Sequence, residues 1–126
     1  MQPITIQTIP HVNHRYPTVG DYYEGANGAL NIVVSDMQNE NYEFLVALHE
    51  LIESHLCKQR SITEFAITEF DIAFEEQRPA GNTDEPGDSP RAPYQKEHQF
   101  ATKIEQQVAA ELGVDWDAYD KVVINL

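Results

Sequence analysis

The spacing of apolar residues changes near residue 39, and this change limits the chain to a fold that combines a small sheet with helices. Before it, Ile4 and Ile6 alternate with polar residues, as do Leu30, Ile32 and Val34, which is the period of a strand. After it, apolar residues recur every three or four positions, the period of an amphipathic helix. The sequence therefore predicts an α+β fold, in which a small N-terminal antiparallel β-hairpin or sheet packs against three α-helices.

Turn and cap signals divide the chain into four segments of a single domain of 126 residues. They are a sheet region (1–36), two helices (39–77), a loop rich in Pro and Gly (78–93), and a third helix with a C-terminal tail (94–126). In the sheet region, Asn27 and Gly28 form the pair most typical of a hairpin turn. The loop holds four of the seven prolines, and a loop of this length is functional or mobile.

The protein is acidic, with 8 Lys and Arg against 21 Asp and Glu and a net charge of −13. Residues 36–88 hold 13 of the acidic and 3 of the basic residues, and therefore carry a net charge of −10. Direct binding to nucleic acid or to an anionic membrane depends on Lys and Arg, so we expect neither. No stretch is apolar enough for a membrane span. The single cysteine, Cys57, is typical of a reducing compartment, and we expect a cytoplasmic protein.

The segment 47–56, ALHELIESHL, carries the residues that are most informative about chemistry. On a helix, His49 and Glu53 lie one turn apart and about 40° from each other around the axis, along the border of an apolar stripe that includes Phe44. Two metal ligands on one helix need this arrangement. Glu50 points about 100° away from His49, where it can face a bound water.

This segment resembles the HExxH signature of the zincin metallopeptidases, with Glu53 at the position of the second His. In zincins the two His bind zinc and the Glu after the first His is the general base. The resemblance implies that His49 and Glu53 bind a metal, that Glu50 is the catalytic base, and that a zincin-like arrangement is possible. The exchange of the second His for a Glu lowers the positive charge felt by a metal-bound water.

Two later segments supply further candidate ligands. Asp71 lies beside the apolar face of the second predicted helix, and His98 lies at the edge of the buried face of the third. Glu97 lies within that buried face, and a buried carboxylate is costly unless it is paired or bound to a metal. His55 lies among apolar residues, so we expect a buried histidine that is the substitute ligand if His98 is remote. The predicted metal ligands are His49, Glu53, Asp71 and His98.

Two further resemblances bear on function. The series HELIE, FDIAFEE and PGDSPRAPYQKEHQFA, over residues 40–120, resembles small uncharacterised proteins of bacteriophages and prophages, which implies a host cytoplasm but no particular reaction. Glu50 and Glu53 also form the ExxE pair of MazG-like nucleotide pyrophosphohydrolases, which bind Mg²⁺. The later acidic motif of that family is incomplete, because Ile72 stands where the pattern needs an Asp.

These observations predict a phage-type metal-binding protein and, if it is an enzyme, a metal-dependent hydrolase in which Glu50 accepts a proton from the activated water. The mixed imidazole and carboxylate ligands favour zinc, with manganese, iron, nickel or magnesium as alternatives. The expected partner is an unknown substrate or a host protein. Two alternatives stay open: a MazG-like, Mg²⁺-dependent pyrophosphohydrolase, and a non-enzymatic acidic protein that binds a host protein as a nucleic-acid mimic does.

Overall fold

A three-stranded sheet forms the N-terminal part of the protein, of which a computed structural model describes all 126 residues. Its strands are β1 (Ile4–Ile9), β2 (Gly20–Glu24) and β3 (Leu30–Ser35), in the order β1-β3-β2. The predicted antiparallel hairpin is formed by β2 and β3. Its turn contains Asn27 and Gly28, both with positive φ (62° and 75°), which these residue types adopt at low cost. The hairpin prediction is confirmed.

The sheet is mixed rather than wholly antiparallel, which corrects one part of the prediction. β1 runs parallel to β3, with Ile6 opposite Ile32. β3 lies between β1 and β2. After β1 the chain crosses to the opposite edge of the sheet and forms β2 there. The hairpin then brings the chain back as β3, which runs beside β1 in the same direction. Parallel neighbours need a crossover of this kind, and the alternation of apolar residues does not determine strand direction.

Four helices follow the sheet, one more than predicted. They are α1 (Glu40–Gln59), α2 (Glu64–Glu76), α3 (Gln95–Glu111) and α4 (Trp116–Ile124). The side chains of Asn39, Thr63 and Asp115 accept hydrogen bonds from the first turns of α1, α2 and α4, which satisfies N–H groups that a helix leaves free. The α+β class is confirmed, whereas a zincin-like arrangement stays a prediction.

α4 replaces most of the predicted C-terminal tail. Asp115 caps it, and the helix continues to Ile124. Tyr119 is 2% exposed and Val123 packs beside it against the core. A helix of nine residues is marginal by itself, so these tertiary contacts decide its length.

The apolar core consists of two clusters on either side of a polar centre. The larger cluster joins the sheet to α1, α3 and α4, and the smaller joins α1 and α2 to the segment that precedes α3. Along α1, Val46 belongs to the larger cluster and Cys57 to the smaller, and His49 and Glu53 lie between them. The fold therefore buries polar residues at this junction, where they need partners.

The buried face of α1 differs from the predicted apolar stripe. Phe44 is 52% exposed and His55 is exposed, whereas His49 and Glu53 are buried. The prediction of a buried His55 is therefore wrong. Periodicity normally points the apolar side of a helix inward, but the inward side of α1 faces the polar centre.

Residues 78–93 form the predicted irregular loop, apart from one 3₁₀ turn at Pro86–Asp88. This turn packs against α2 and α3.

None of the helices combines the length and the apolar composition that a membrane span requires. The cytoplasmic location stays a prediction.

Candidate metal centre

Three of the four predicted ligands meet in the polar centre. His49 and Glu53 come from α1, one turn apart, and His98 comes from the N-terminal part of α3, which packs along α1. Their exposed fractions are 7, 4 and 7%. Side chains that are both polar and this deeply buried are held by specific partners.

The ligand atoms of these residues form a nearly equilateral triangle. Nε2 of His49 lies 3.0 Å from Oε2 of Glu53 and 3.1 Å from Nδ1 of His98. The same Nδ1 lies 2.9 Å from Oε2 of Glu53. All three atoms are close enough together to contact one ion. We call this group the ligand triangle.

A carboxylate outside the ligand triangle orients His49. Nδ1 of His49 donates to Oε1 of Glu105 on α3 at 2.8 Å. Oε2 of Glu105 in turn accepts from the hydroxyl of Tyr119 on α4 at 2.6 Å. A carboxylate on the distal nitrogen fixes the tautomer and the ring plane of a metal-binding histidine, so Glu105 and Tyr119 support His49 in that role.

The loop before α3 holds His98 from the other side. Nε2 of His98 lies 2.8 Å from Oε2 of Glu85 and 3.7 Å from Oδ1 of Asp88, although neither contact has the directionality of a hydrogen bond. The backbone of Gly87 lies against the imidazole, since a Cβ there would be 2.3 Å from Cγ of His98. The turn at Pro86–Asp88 is therefore part of the centre.

Glu53 is held by groups from three elements. Its Oε2 accepts from both imidazoles, and its Oε1 accepts from the hydroxyl of Tyr22 on β2 at 3.0 Å. Burial disfavours its charge, but the hydrogen bonds from His49 and His98 outweigh burial and lower the pKa of Glu53 to about 2. The group is therefore ionised at neutral pH.

Neighbouring carboxylates favour the protonated form of both histidines of the ligand triangle. Burial alone would lower the pKa of His49, but hydrogen bonds to Glu105 and Glu53 raise it well above its usual value. Burial is likewise outweighed at His98, where contacts with Glu53 and Glu85 raise the pKa to about 10. Protonation of these imidazoles offsets the negative charges of Glu53 and Glu105, which limits the cost of burying the carboxylates.

Glu50 lines a cavity of about 590 Å³ that the ligand triangle also lines. Burial, and then the negative charge of Glu53, raise the pKa of Glu50 well above its usual value. Gly20 on β2 makes room for this side chain, because a Cβ there would lie 2.8 Å from Oε1 of Glu50. A carboxyl group with a raised pKa binds a proton more readily than a free carboxyl group does.

Asp71, the fourth predicted ligand, lines the same cavity but stays outside the ligand triangle. Its carboxylate accepts from the hydroxyl of Tyr94 and, at 3.0 Å, from that of Tyr16. Burial outweighs these hydrogen bonds and raises the pKa of Asp71 to about 6. Helical periodicity predicts which side of α2 carries Asp71, but the distance to the ligands depends on how α2 packs.

Glu97 is buried, as its position on α3 predicts, and it has a cationic partner. It is 4% exposed, and its Oε2 accepts from Nη1 of Arg60 at 2.7 Å. A charge-assisted hydrogen bond of this length compensates for the burial of a carboxylate. Glu97 therefore needs no metal.

Sequence reasoning missed the groups that surround the ligands, namely Glu105, Tyr119, Tyr22 and Glu85. One signal for Glu105 exists, because it lies seven residues after His98 and residues at that spacing share a helix face. Tyr22 and Glu85 have no such signal. They reach the centre only because β2 and the loop pack against α1 and α3.

Comparisons with known proteins add no functional information. No protein-family model, curated protein or solved structure matches this chain. The resemblances to zincins, to phage-encoded proteins and to MazG-like enzymes therefore stay predictions.

Proposed function

We propose that the protein is a metal-dependent hydrolase with one metal ion, in which His49, Glu53 and His98 are the ligands and Glu50 is the general base. The observation that carries the proposal is the ligand triangle, with edges of 2.9 to 3.1 Å. A carboxylate meets the outer nitrogen of each imidazole, Glu105 at His49 and Glu85 at His98. Metal-binding histidines typically donate a hydrogen bond to a carboxylate, as His49 does to Glu105.

The edges of the ligand triangle fit a single ion. With metal–ligand distances of about 2.0 to 2.2 Å, edges near 3 Å correspond to ligand–metal–ligand angles of roughly 85 to 100°. Such angles describe one face of an octahedron, and an expansion of the edges by about 0.3 Å gives those of tetrahedral zinc. Two His and one Glu also form the ligand set of known zinc peptidases, so His98 compensates for the missing second His of the HExxH pattern. Zinc is therefore the favoured metal, with manganese, iron, nickel and magnesium as alternatives.

Neighbouring carboxylates favour positive charge in the buried centre. They raise the pKa values of His49 and His98 and so favour proton binding by both rings. A divalent ion held by the neutral imidazoles would bring positive charge to Glu53 in the same place. Because uncompensated buried charge is costly, the negative charge of this centre supports the binding of a cation.

The cavity provides the place for hydrolysis. A bound metal supplies Lewis-acid activation of water, and the ligand triangle and Glu50 line the same cavity. Glu50 accepts the proton of the attacking water and delivers it to the leaving group. The raised pKa of Glu50 supports this double task, because a strongly acidic carboxyl group would not hold the proton.

Two observations weigh against the alternative functions. A pyrophosphohydrolase would bind a polyphosphate in a cavity lined by eleven carboxylates and one arginine, which repels such a substrate. A nucleic-acid mimic needs only exposed carboxylates and gives no reason for His49, Glu53 and His98 to converge in a buried centre. Neither alternative accounts for the close approach of His49 and His98.

The metal content of the purified protein tests the proposal. Protein without a metal-binding tag is analysed by inductively coupled plasma mass spectrometry, beside the variants His49→Ala and His55→Ala. His55 is an exposed histidine on the same helix and is the matched control. We expect about one equivalent of metal in the wild type and in His55→Ala, and its loss in His49→Ala. No metal in the wild type, with a melting temperature that neither chelator nor added zinc changes, overturns the proposal.

Turnover by the metal-loaded protein tests the catalytic part. Chromogenic esters, amides and phosphoesters are screened with the wild type and with Glu50→Gln. The variant should retain its metal and lose turnover, because an amide cannot accept the proton. Equal turnover by both proteins contradicts the role of Glu50. Full metal content without any turnover, together with unfolding in chelator, indicates a structural metal instead.

A further inference from the structure

Asp71 differs from the other buried carboxylates of the cavity, because its partners are neutral. It is 7% exposed, and both of its oxygens accept from tyrosine hydroxyls, those of Tyr94 and Tyr16. Three other carboxylates of the cavity are only 4 to 8% exposed, and each faces an arginine or a histidine; they are Asp21, Glu53 and Glu105. Hydroxyl donors stabilise a carboxylate without neutralising it, so Asp71 keeps an unbalanced charge at the cavity wall.

The cavity as a whole is strongly negative. Of the Asp, Glu, Lys and Arg side chains that line it, eleven are acidic and one is basic. The basic one, Arg78, is already bonded to both carboxylate oxygens of Glu75. A concave surface with one sign of charge concentrates ligands of the opposite sign and excludes ligands of the same sign. The cavity therefore favours a cationic ligand even after a divalent ion is bound.

We propose that Asp71 is the recognition site for a positively charged group, an ammonium or a guanidinium, on the substrate that the metal centre hydrolyses. Each oxygen of Asp71 accepts one hydrogen bond from a tyrosine and keeps a second lone pair for a donor of the substrate. The rings of Tyr94 and Tyr16 line the same cavity, and aromatic faces attract cations. The proposal rests on the proposed metal centre.

The dimensions of the cavity restrict the substrate further. A volume of about 590 Å³ lies within the range of pockets that enclose a small molecule or one extended side chain. The substrate class is thus a small amide or ester with a cationic group, or a peptide that inserts a single basic residue.

Binding of hydroxamates to the zinc-loaded, full-length protein tests this proposal without knowledge of the substrate. The hydroxamate group chelates the metal, and a chain of two to six methylenes carries a terminal ammonium, a terminal methyl or a terminal carboxylate. Affinities are measured by isothermal titration calorimetry at pH 7.5. At the best chain length, we expect the ammonium compound to bind at least about tenfold more tightly than the methyl compound. The carboxylate compound should bind more weakly than both.

Three variants assign the preference to Asp71. Asp71→Asn should reduce the tenfold preference to about twofold or less while its affinity for the methyl compounds is unchanged. Asp84→Asn is the matched control, because Asp84 is an exposed carboxylate of the same cavity, and it should keep the preference. Asp71→Glu moves the charge by one methylene, so it should keep the preference and shift the best chain to a shorter one.

The outcomes separate this proposal from the one on which it rests. If the methyl compounds fail to bind to zinc-loaded protein, the accessible metal centre is refuted, and the recognition site with it. If they bind but the ammonium gives no advantage, or if Asp71→Asn keeps the advantage, the metal centre stands and the role of Asp71 is refuted. If Asp71→Asn does not fold, the chain-length shift of Asp71→Glu decides.

Discussion

Gly87→Ala is the substitution that most directly tests whether the loop before α3 positions a metal ligand. Gly87 lies in the 3₁₀ turn at Pro86–Asp88 and is buried against the imidazole of His98. An added Cβ would lie 2.3 Å from Cγ, 2.5 Å from Nδ1 and 2.8 Å from Cδ2 of that ring. The new methyl group would strike the rigid ring of His98 and not the end of a flexible side chain, so a simple side-chain rotation does not relieve the clash.

The size of the effect follows from these distances. Carbon atoms pack comfortably at about 3.5 Å or more, so the ring or the turn has to move by about 1 Å. Metal–ligand distances tolerate only about 0.2 Å, and Nδ1 of His98 is one corner of the ligand triangle. We therefore expect zinc affinity to fall about 100-fold, equal to about 2.7 kcal/mol. The metal-free fold should lose about 1 to 3 kcal/mol, the usual cost of overpacking.

Two measurements separate the loss of metal affinity from the loss of stability. Zinc affinity is measured by competition with a chromophoric chelator, and the free energy of unfolding is measured by urea titration in EDTA. Gly81→Ala is the control from the same loop, because a Cβ there meets nothing within 4 Å. Its positive φ of 80° makes alanine costly for the fold, but zinc affinity should be unchanged.

The His98→Ala background provides the decisive comparison. Without the imidazole, the atoms that the new Cβ would strike are absent, so Gly87→Ala should destabilise the metal-free protein much less there than in the wild type. The reasoning is refuted if Gly87→Ala binds zinc as the wild type does. It is also refuted if the destabilisation is the same in both backgrounds.

Three further predictions concern the groups around the ligand triangle. Zinc affinity should rise at least about tenfold per pH unit from pH 6 to 8, because zinc displaces the proton of His98, whose pKa is about 10. Calorimetry at several pH values measures this dependence, and an affinity that does not change with pH contradicts the prediction. Tyr119→Phe removes the 2.6 Å hydrogen bond to Glu105. It should lower the free energy of unfolding by about 1 to 3 kcal/mol in urea titrations and zinc affinity by about tenfold. If neither value changes, Tyr119 does not support the metal centre. Arg60→Met leaves the buried Glu97 without its cation and should lower the free energy of unfolding by about 1 to 2 kcal/mol, a value reduced because Arg60 is half exposed. Adding Glu97→Gln to this variant should recover stability. A further loss of stability would argue against the ion pair.

Residues that one helix brings together were predictable from the sequence, and residues that meet through tertiary packing were predictable only in part. His49 and Glu53 follow from a separation of four residues on α1. His98 was found because it lies at the edge of a buried face, but nothing in α3 alone specifies its distance from His49. Asp71 has a similar signal on α2, yet the packing of that helix brings it to tyrosine hydroxyls and not to the ligands.

The face of α1 was predicted wrongly for a physical reason that also identifies the centre. Periodicity assumes that the apolar side of a helix is the buried side, but the buried side can be rotated toward polar residues when these meet a complementary set of charges. α3 provides that set, because His98 and Glu105 share a face at a spacing of seven residues and pair with Glu53 and His49 on α1. This rotation leaves Phe44 half exposed, while Val46 and Cys57 stay in the core. A conflict between local periodicity and tertiary burial is typical of functional sites, and in this chain the conflict coincides with the ligand triangle.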